Sequence, residues 1–331
     1  MKGKAERRAI LLSALLLCLL LLGAGWLLLP YEDYNGTDWR AFRAEPENTV
    51  DVLYIGSSLV FCNIDPTAVY LESGLTGYVV AGPEQSVPIS YAYLREAGRT
   101  QAPQAVFLEL NGLFYSSDET FTLSDIAFMP RGINRLRASI SSAGPESWPG
   151  LLFPLLNYHD YWVSFSPALL RARLHPTVEL QAGFHPQTAV KPLPASEYRQ
   201  EYPSFYPAYL ETLRDCAAWC RERGTALYLF YAPTYLTASP ALKEQLRADL
   251  SDQEIAGWID FTEAETAAAV GLDPETDWAD KMHLNLQGAE KLSLYLADFL
   301  RGEGFAPAGT ADAALWQRRL QAREALLADE A

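Results

Sequence analysis

The sequence predicts an α/β protein built on a doubly wound, five-stranded parallel sheet, with a helical insertion and one N-terminal transmembrane helix. Three observations carry that prediction. Five short runs are apolar on both faces instead of alternating, which suits strands covered on both sides. Segments of helical period lie between them, so strand and helix alternate along the chain. Ahead of all of these, residues 9–31 contain no charged side chain. At 331 residues, 49% of them apolar, the chain is long enough to bury a substantial core.

The N-terminal segment comes first. Lys2, Lys4, Arg7 and Arg8 precede the uncharged stretch, and Glu32, Asp33 and Asp38 follow it. Twenty-three helical residues at about 1.5 Å each reach about 34 Å, against a hydrocarbon core of about 30 Å. The basic flank favours a cytoplasmic N-terminus, with everything after Pro30 outside the cell membrane. A cleaved signal peptide is the competing reading, because Gly23-Ala24-Gly25 offers small residues to a peptidase. The apolar run continues past that site through Trp26 and Leu29, which favours a retained anchor. Cys18 follows Leu16 and Leu17, where a lipoprotein signal would carry small residues. Residues 1–31 are therefore read as cytoplasmic tip and anchor, and 32–47 as a linker. Residues 48–305 form the domain, and 306–331 a charged, partly amphipathic C-terminal helix packed on the outside or trailing in solvent.

Within the domain the strands are "VDVLYIG" (50–56), "TGYVVAG" (76–82), "QAVFLELN" (104–111), "TALYLFYAP" (225–233) and "GWIDF" (257–261). Asp65-Pro66 reads as a helix N-cap followed by proline at the first helical position. Asn285 caps the helix "LQGAEKLSLYLADFLRGEG", which its terminal glycines end. The third and fourth strands are too far apart for an ordinary crossover. The intervening insertion, about 112–204, is rich in proline, serine and aromatics and is expected to form a helical cap over the sheet edge.

The formal charge is −15, and the first eight residues carry four basic groups and one acidic, so the remainder carries −18. Such a surface repels nucleic acid and gives no general attraction to anionic lipid. Arg131, Arg135 and Arg137 form a local exception, either a solvated helix face or an anion site. Cys216 and Cys220 stand one helical turn apart, with Cβ atoms about 5–6 Å distant where a disulfide needs roughly 3.5–4.5 Å, so both are expected as free thiols. No cysteine or histidine spacing suggests zinc.

In open parallel sheets ligands bind beyond the carboxyl ends of the strands, where the first strand here delivers "GSS", Gly56 to Ser58. A serine nucleophile needs a base within hydrogen-bond reach and a third group to orient that base. Of the four histidines, His283 stands in "DWADKMHLNLQGAEKL", three residues after Asp280 and just before a capped helix. That spacing lets the carboxylate bond Nδ1 and leaves Nε2 to take the serine proton. Gly-Ser-Ser is also a common strand-end turn, and Asp-x-x-His recurs by chance. Their joint placement, after the first and the last strand, makes Ser58, His283 and Asp280 a candidate triad. His159, in "NYHDYW", is either a packed or rim residue or a substrate contact, with Tyr158, Tyr161 and Trp162 offering a sugar-stacking wall. His175 and His185, each before a proline, read as loop residues.

"VDVLYIGSSLVFCNIDP" resembles the Gly-Asp-Ser block of the SGNH (GDSL-like) hydrolase superfamily, in a variant with Gly-Ser-Ser and a following Asp-Pro. "DKMHLNLQGAEKL" resembles that superfamily's closing Asp-x-x-His block. The resemblance covers roughly 48–112 and 223–301. "FPLLNYHDYW" is similar to inserted segments of a membrane-anchored, cell-surface branch that includes proteins of alginate O-acetylation and teichoic acid D-alanylation. The resemblance implies an SGNH, flavodoxin-like fold and cofactor-free acyl-ester chemistry outside the membrane. The implied substrate is a cell-surface polysaccharide, acted on beside a membrane-bound O-acyltransferase as partner. By position, Ser58 matches the nucleophile, His283 the general base and Asp280 its orienting acid. Gly82 matches the glycine block that offers an oxyanion N–H. The sequence departs from the pattern in carrying Ser57 where aspartate is usual, and in lacking the Gly-x-Asn-Asp block, whose place is taken by "LELNG" with Asn111. The alternative is a non-catalytic SGNH-like domain that binds glycan or scaffolds the acyltransferase.

Overall fold

The computed structural model describes residues 2–30, 34–116 and 120–329, apart from the side chains of Lys2, Thr120, Trp162, Ser164 and Asp329. In chain order the helices are α1 (Lys2–Leu28), α2 (Trp39–Arg43), α3 (Ser58–Phe61), α4 (Pro66–Ser73), α5 (Val87–Ala97), α6 (Thr120–Phe128), α7 (Ile133–Ser142), α8 (Trp148–Leu152), α9 (Leu155–Tyr158), α10 (Pro167–Leu174), α11 (Tyr206–Arg223), α12 (Pro240–Asp249), α13 (Ala264–Val270), α14 (Leu286–Gly302) and α15 (Ala313–Asp329). The strands are β1 (Val52–Gly56), β2 (Gly77–Ala81), β3 (Ala105–Glu109), β4 (Glu197–Arg199), β5 (Ala226–Tyr231), β6 (Leu236–Ala238) and β7 (Gly257–Asp260).

Five strands form one wholly parallel sheet in the order β2-β1-β3-β5-β7. Successive strand residues point to opposite faces, and here both faces are dry. Leu53, Ile55, Val106, Leu108 and Leu229 join a core with Tyr93 and Leu94 of α5 and Leu213 and Ala217 of α11. Val52, Tyr54, Phe107, Tyr228 and Phe230 join a second core with Val69 of α4 and Leu292 and Leu296 of α14. That two-sided burial is why the strands read as continuous apolar runs. All five expected strands are present, each trimmed at its ends. A small parallel pair, β4 with β6, was not visible in the sequence because each strand is only three residues long and β4 is exposed and polar.

Local signals hold at the expected helix ends. Asp65 Oδ1 accepts from Thr67 N at 2.8 Å at the start of α4, and Asn285 Oδ1 accepts from Gly288 N at 3.0 Å at the start of α14.

Three expectations need correction. The described part of the expected linker, residues 34–47, is built into the domain: Trp39 and Phe42 are core side chains, and Thr37 pairs with Ala81 on the open edge of β2. The other part of that edge is closed by the insertion, whose Ala182 carbonyl accepts from Val79 N at 2.9 Å. Gly183 is required at this crossing, since its φ is +84° and a Cβ would lie 2.2 Å from the Val79 carbonyl oxygen. The insertion is thus less a cap than a wrap: α6 and α7 lie along α5, α9 lies against α1, and residues 182–193 return across the sheet edge. Finally, Arg135 belongs to no solvated face. It is buried, and its guanidinium donates to the Met129 and Leu151 carbonyls.

The C-terminal helix α15 packs against α4 instead of trailing. Its Arg319 is fully buried against Glu45, and Arg323 bonds Asp65 and Glu290.

Candidate active site

β1 ends at Gly56, and the chain turns at once into α3. A Cβ on Gly56 would lie 2.5 Å from Glu109 Cβ and 2.6 Å from Val60 Cγ2, so only glycine allows so tight a turn. Ser57 then caps α3, its Oγ accepting from Leu59 N at 3.3 Å. Ser58, the first residue of α3, is left half-buried at the carboxyl edge of the sheet.

The other half comes from the loop between α13 and α14. Trp278 and Leu284 form an antiparallel bridge, and Ala279 N donates to the His283 carbonyl at 2.9 Å, closing a tight loop. Within it, Asp280 Oδ1 accepts from the backbone N–H groups of Met282 at 2.7 Å and His283 at 2.9 Å. The same carboxylate contacts imidazole Nδ1 at 3.0 Å through Oδ2 and 3.2 Å through Oδ1. Nε2 lies 2.8 Å from Ser58 Oγ, across 225 residues of sequence. Asn63, just after α3, holds the two loops together by accepting from Leu284 N at 2.9 Å.

Burial works against the charge on Asp280, but the His283 ring and the two backbone donors outweigh it and hold the carboxyl below its ordinary range. An ionised Asp280 fixes the imidazole proton on Nδ1, leaving the Nε2 lone pair to accept the Ser58 proton. Cys62 stands nearby without competing. Burial first, then the charge of Asp280, push its thiol up to about 12, against a smaller opposing effect of a hydrogen bond with Gln187.

Glu109, at the end of β3, adds a group that the sequence motifs do not single out. Its carboxyl is buried beneath the serine turn, where Oε2 accepts from Ser57 Oγ at 3.1 Å and Oε1 accepts from Asn111 N. Burial pushes it up to about 7, the hydrogen bonds from Asn111 and Ser57 opposing. The signal was present in the sequence: an acidic residue inside the otherwise apolar "AVFLEL" has to have a partner. His185, expected as a loop residue, lies close to α3. Its ring packs 4.9 Å from that of Phe61, its backbone N–H donates to the Phe61 carbonyl at 2.7 Å, and burial lowers its basicity.

The remaining expected site residues fare differently. Asn111 is buried, joined to the serine turn through Glu109, and its side-chain oxygen has no partner. Gly82 lies beside β1, but its N–H donates to the Gly56 carbonyl at 3.3 Å, and Asp125 fills the space on its Cα. His159 is exposed and paired with Asp160 at 3.2 Å, on the segment that packs along α1. Tyr158 and Tyr161 sit edge to face on that segment, and Tyr158 also packs against Phe128. The side chain of Trp162 is outside the described residues.

A cleft of about 670 Å³ lies over the carboxyl ends of β5 and β7, lined by Tyr198, Thr234, Phe261 and Trp278 among others. Trp278 is two residues before Asp280, and Thr234 reaches the Lys281 carbonyl. Chemically, the arrangement is a hydroxyl with a base on it, the base held in one tautomer, and room for a bulky molecule near the same sheet edge. Compared with protein-family models and with curated proteins, the chain matches none.

Proposed function

We propose that this chain is a membrane-anchored, extracytoplasmic serine esterase or O-acyltransferase with a doubly wound SGNH-like fold, moving or removing acyl groups, acetyl foremost, on a cell-surface polysaccharide. The observation that supports it most is the continuous chain Asp280–His283–Ser58, with contacts of 3.0 and 2.8 Å joining loops from opposite ends of the domain. The sheet order β2-β1-β3-β5-β7, with Ser58 after β1, agrees with a ligand site at the switch point of an open parallel sheet. α1, long and apolar enough to cross a bilayer, with its basic residues at the N-terminal end, supports the anchor and its orientation.

In this mechanism Ser58 Oγ attacks the ester carbonyl as its proton passes to His283 Nε2. The tetrahedral intermediate collapses when the imidazolium returns that proton to the leaving alcohol, which breaks the ester C–O bond and leaves an acyl-serine. A water molecule or a sugar hydroxyl, deprotonated by the same nitrogen, then takes the acyl group and frees Ser58. Asn111, buried and joined to the serine turn through Glu109, is the candidate amide donor to the oxyanion.

One observation favours a second reading, a non-catalytic SGNH-like partner that binds glycan or scaffolds a membrane-bound O-acyltransferase: the N–H of Gly82 is already spent on Gly56. The full chain in detergent separates the two. Native protein should take up a fluorophosphonate probe and cleave p-nitrophenyl acetate, and Ser58→Ala should do neither. Equal activity in the variant would refute the catalytic assignment. Polysaccharide acylation in cells that survives Ser58→Ala and His283→Ala, yet is lost on deletion of the protein, would establish the second reading.

A further inference from the structure

The N-terminal helix is not free along its whole apolar length. Residues 9–21 are exposed along their whole length. From Leu22 onward the insertion closes on the helix: Leu22 shares a groove of about 330 Å³ with Leu136, Ile140, Trp148 and Leu152, and Gly25 and Leu29 are buried. Arginines of the insertion reach backbone carbonyls in the last two turns of the helix and just beyond it. Arg131 Nη2 donates to the Leu22 carbonyl at 3.0 Å, and Arg173 donates to that of Leu29. Thirteen free helical residues span only about 20 Å, about 10 Å short of a hydrocarbon core of about 30 Å. A helix that crosses the bilayer must therefore bring the part of the domain packed on residues 22–29 to the depth of the outer leaflet.

The surface at that place is suited to lipid. Ile133, Leu136 and Ile140 fall on one stripe of α7, each at least half exposed, and Leu152 and Leu156 continue the apolar surface onto α8 and α9. Such side chains on a water-facing surface would each forgo the stabilisation of leaving water. Trp148 lines this groove and Trp26 the adjoining one, each more than a third exposed, a residue type that favours bilayer interfaces.

We propose that the face formed by α7, α8 and α9 is a membrane seat, immersed in the outer leaflet beside α1, so that the domain rests on the bilayer instead of swinging from its anchor. The proposal rests on the reading of α1 as a transmembrane anchor, and deepens it. It also fixes the orientation of the active-site edge relative to the membrane, which a tethered domain would leave open.

The test uses the full chain in phosphatidylcholine vesicles at low protein density, in a Cys18→Ser background. Single Leu15→Cys, Ile140→Cys, Leu152→Cys and Leu71→Cys variants carry bimane, and doxyl-labelled lipids quench it from within the bilayer. All four positions are exposed, so the substitutions disturb no core. The expected result is that Ile140→Cys and Leu152→Cys lose their emission to shallow doxyl lipids as fully as Leu15→Cys does to deep ones, while Leu71→Cys on α4 keeps it. Quenching at Leu15→Cys alone would overturn the seat and leave the anchor standing, assigning the apolar face to a second copy or a protein partner. No quenching at Leu15→Cys would overturn the anchor itself.

Discussion

Glu109 offers the most direct link between the fold and the chemistry of this site. Its carboxyl is buried and titrates at about 7, against an ordinary 4.5, chiefly because burial penalises the charge. Between those two values the folded protein keeps a proton that the unfolded chain has released, so stability falls as pH rises across that window. It is full below pH 4.5 and lost once pH has passed about 7. Each pH unit of such a gap is worth about 1.4 kcal/mol, so the whole window is worth about 3 kcal/mol. Glu179, also pushed up to about 7, chiefly by burial, adds a slope of its own, which must be separated from that of Glu109. Glu109→Gln does so, since it keeps an acceptor for Asn111 N and a polar group for Ser57 while removing the titration. Urea or thermal unfolding of both proteins at pH 5, 6, 7 and 8 gives the difference. The variant should gain on the native protein as pH rises, by about 3 kcal/mol across the window, and be flat beyond it. Parallel stability curves across this range would show that Glu109 is already ionised beneath the serine turn, and would overturn the account of how that turn is held.

Other outcomes can be stated more briefly. Asp280→Asn should keep the protein folded but free the imidazole to adopt the wrong tautomer, lowering kcat for p-nitrophenyl acetate by roughly 10³–10⁴; a loss under tenfold would mean that Asp280 does not orient His283. Asn111→Ala should lower kcat by roughly 10²–10³ with KM little changed if its amide meets the oxyanion, and equal losses in kcat and stability would assign it a structural role instead. Arg319→Ala leaves Glu45 buried without its partner and should cost about 3–5 kcal/mol, read as a lower Tm and as protease cleavage after residue 305. An unchanged Tm would show that α15 is not docked through this pair.

The legible part of this protein was its local chemistry. Strands buried on both faces leave an unbroken apolar run, so all five could be read off. Asp65 and Asn285 marked helix starts because a cap bonds only its own first turn. Asp280 and His283 could be paired because three residues in one loop suffice for their contact. Glu109 was legible in principle, as a charge in an apolar strand, but its partner Ser57 lies 52 residues away. His159 could not be placed from the sequence, because an aromatic-flanked histidine has the same composition at a glycan subsite and beside an apolar helix.

Sequence alone determined the strands, the helix starts, the long apolar N-terminal helix and the pairing of Asp280 with His283, because each depends on contacts within a few residues or on composition. Tertiary structure decided the rest. It brought Ser58 to His283, spent the N–H of Gly82 on Gly56, drew residues 34–47 into the core, and folded the insertion onto the end of α1. Those outcomes turn on which groups meet across tens to hundreds of residues, and that is set by how the apolar faces of all the elements can be buried at once.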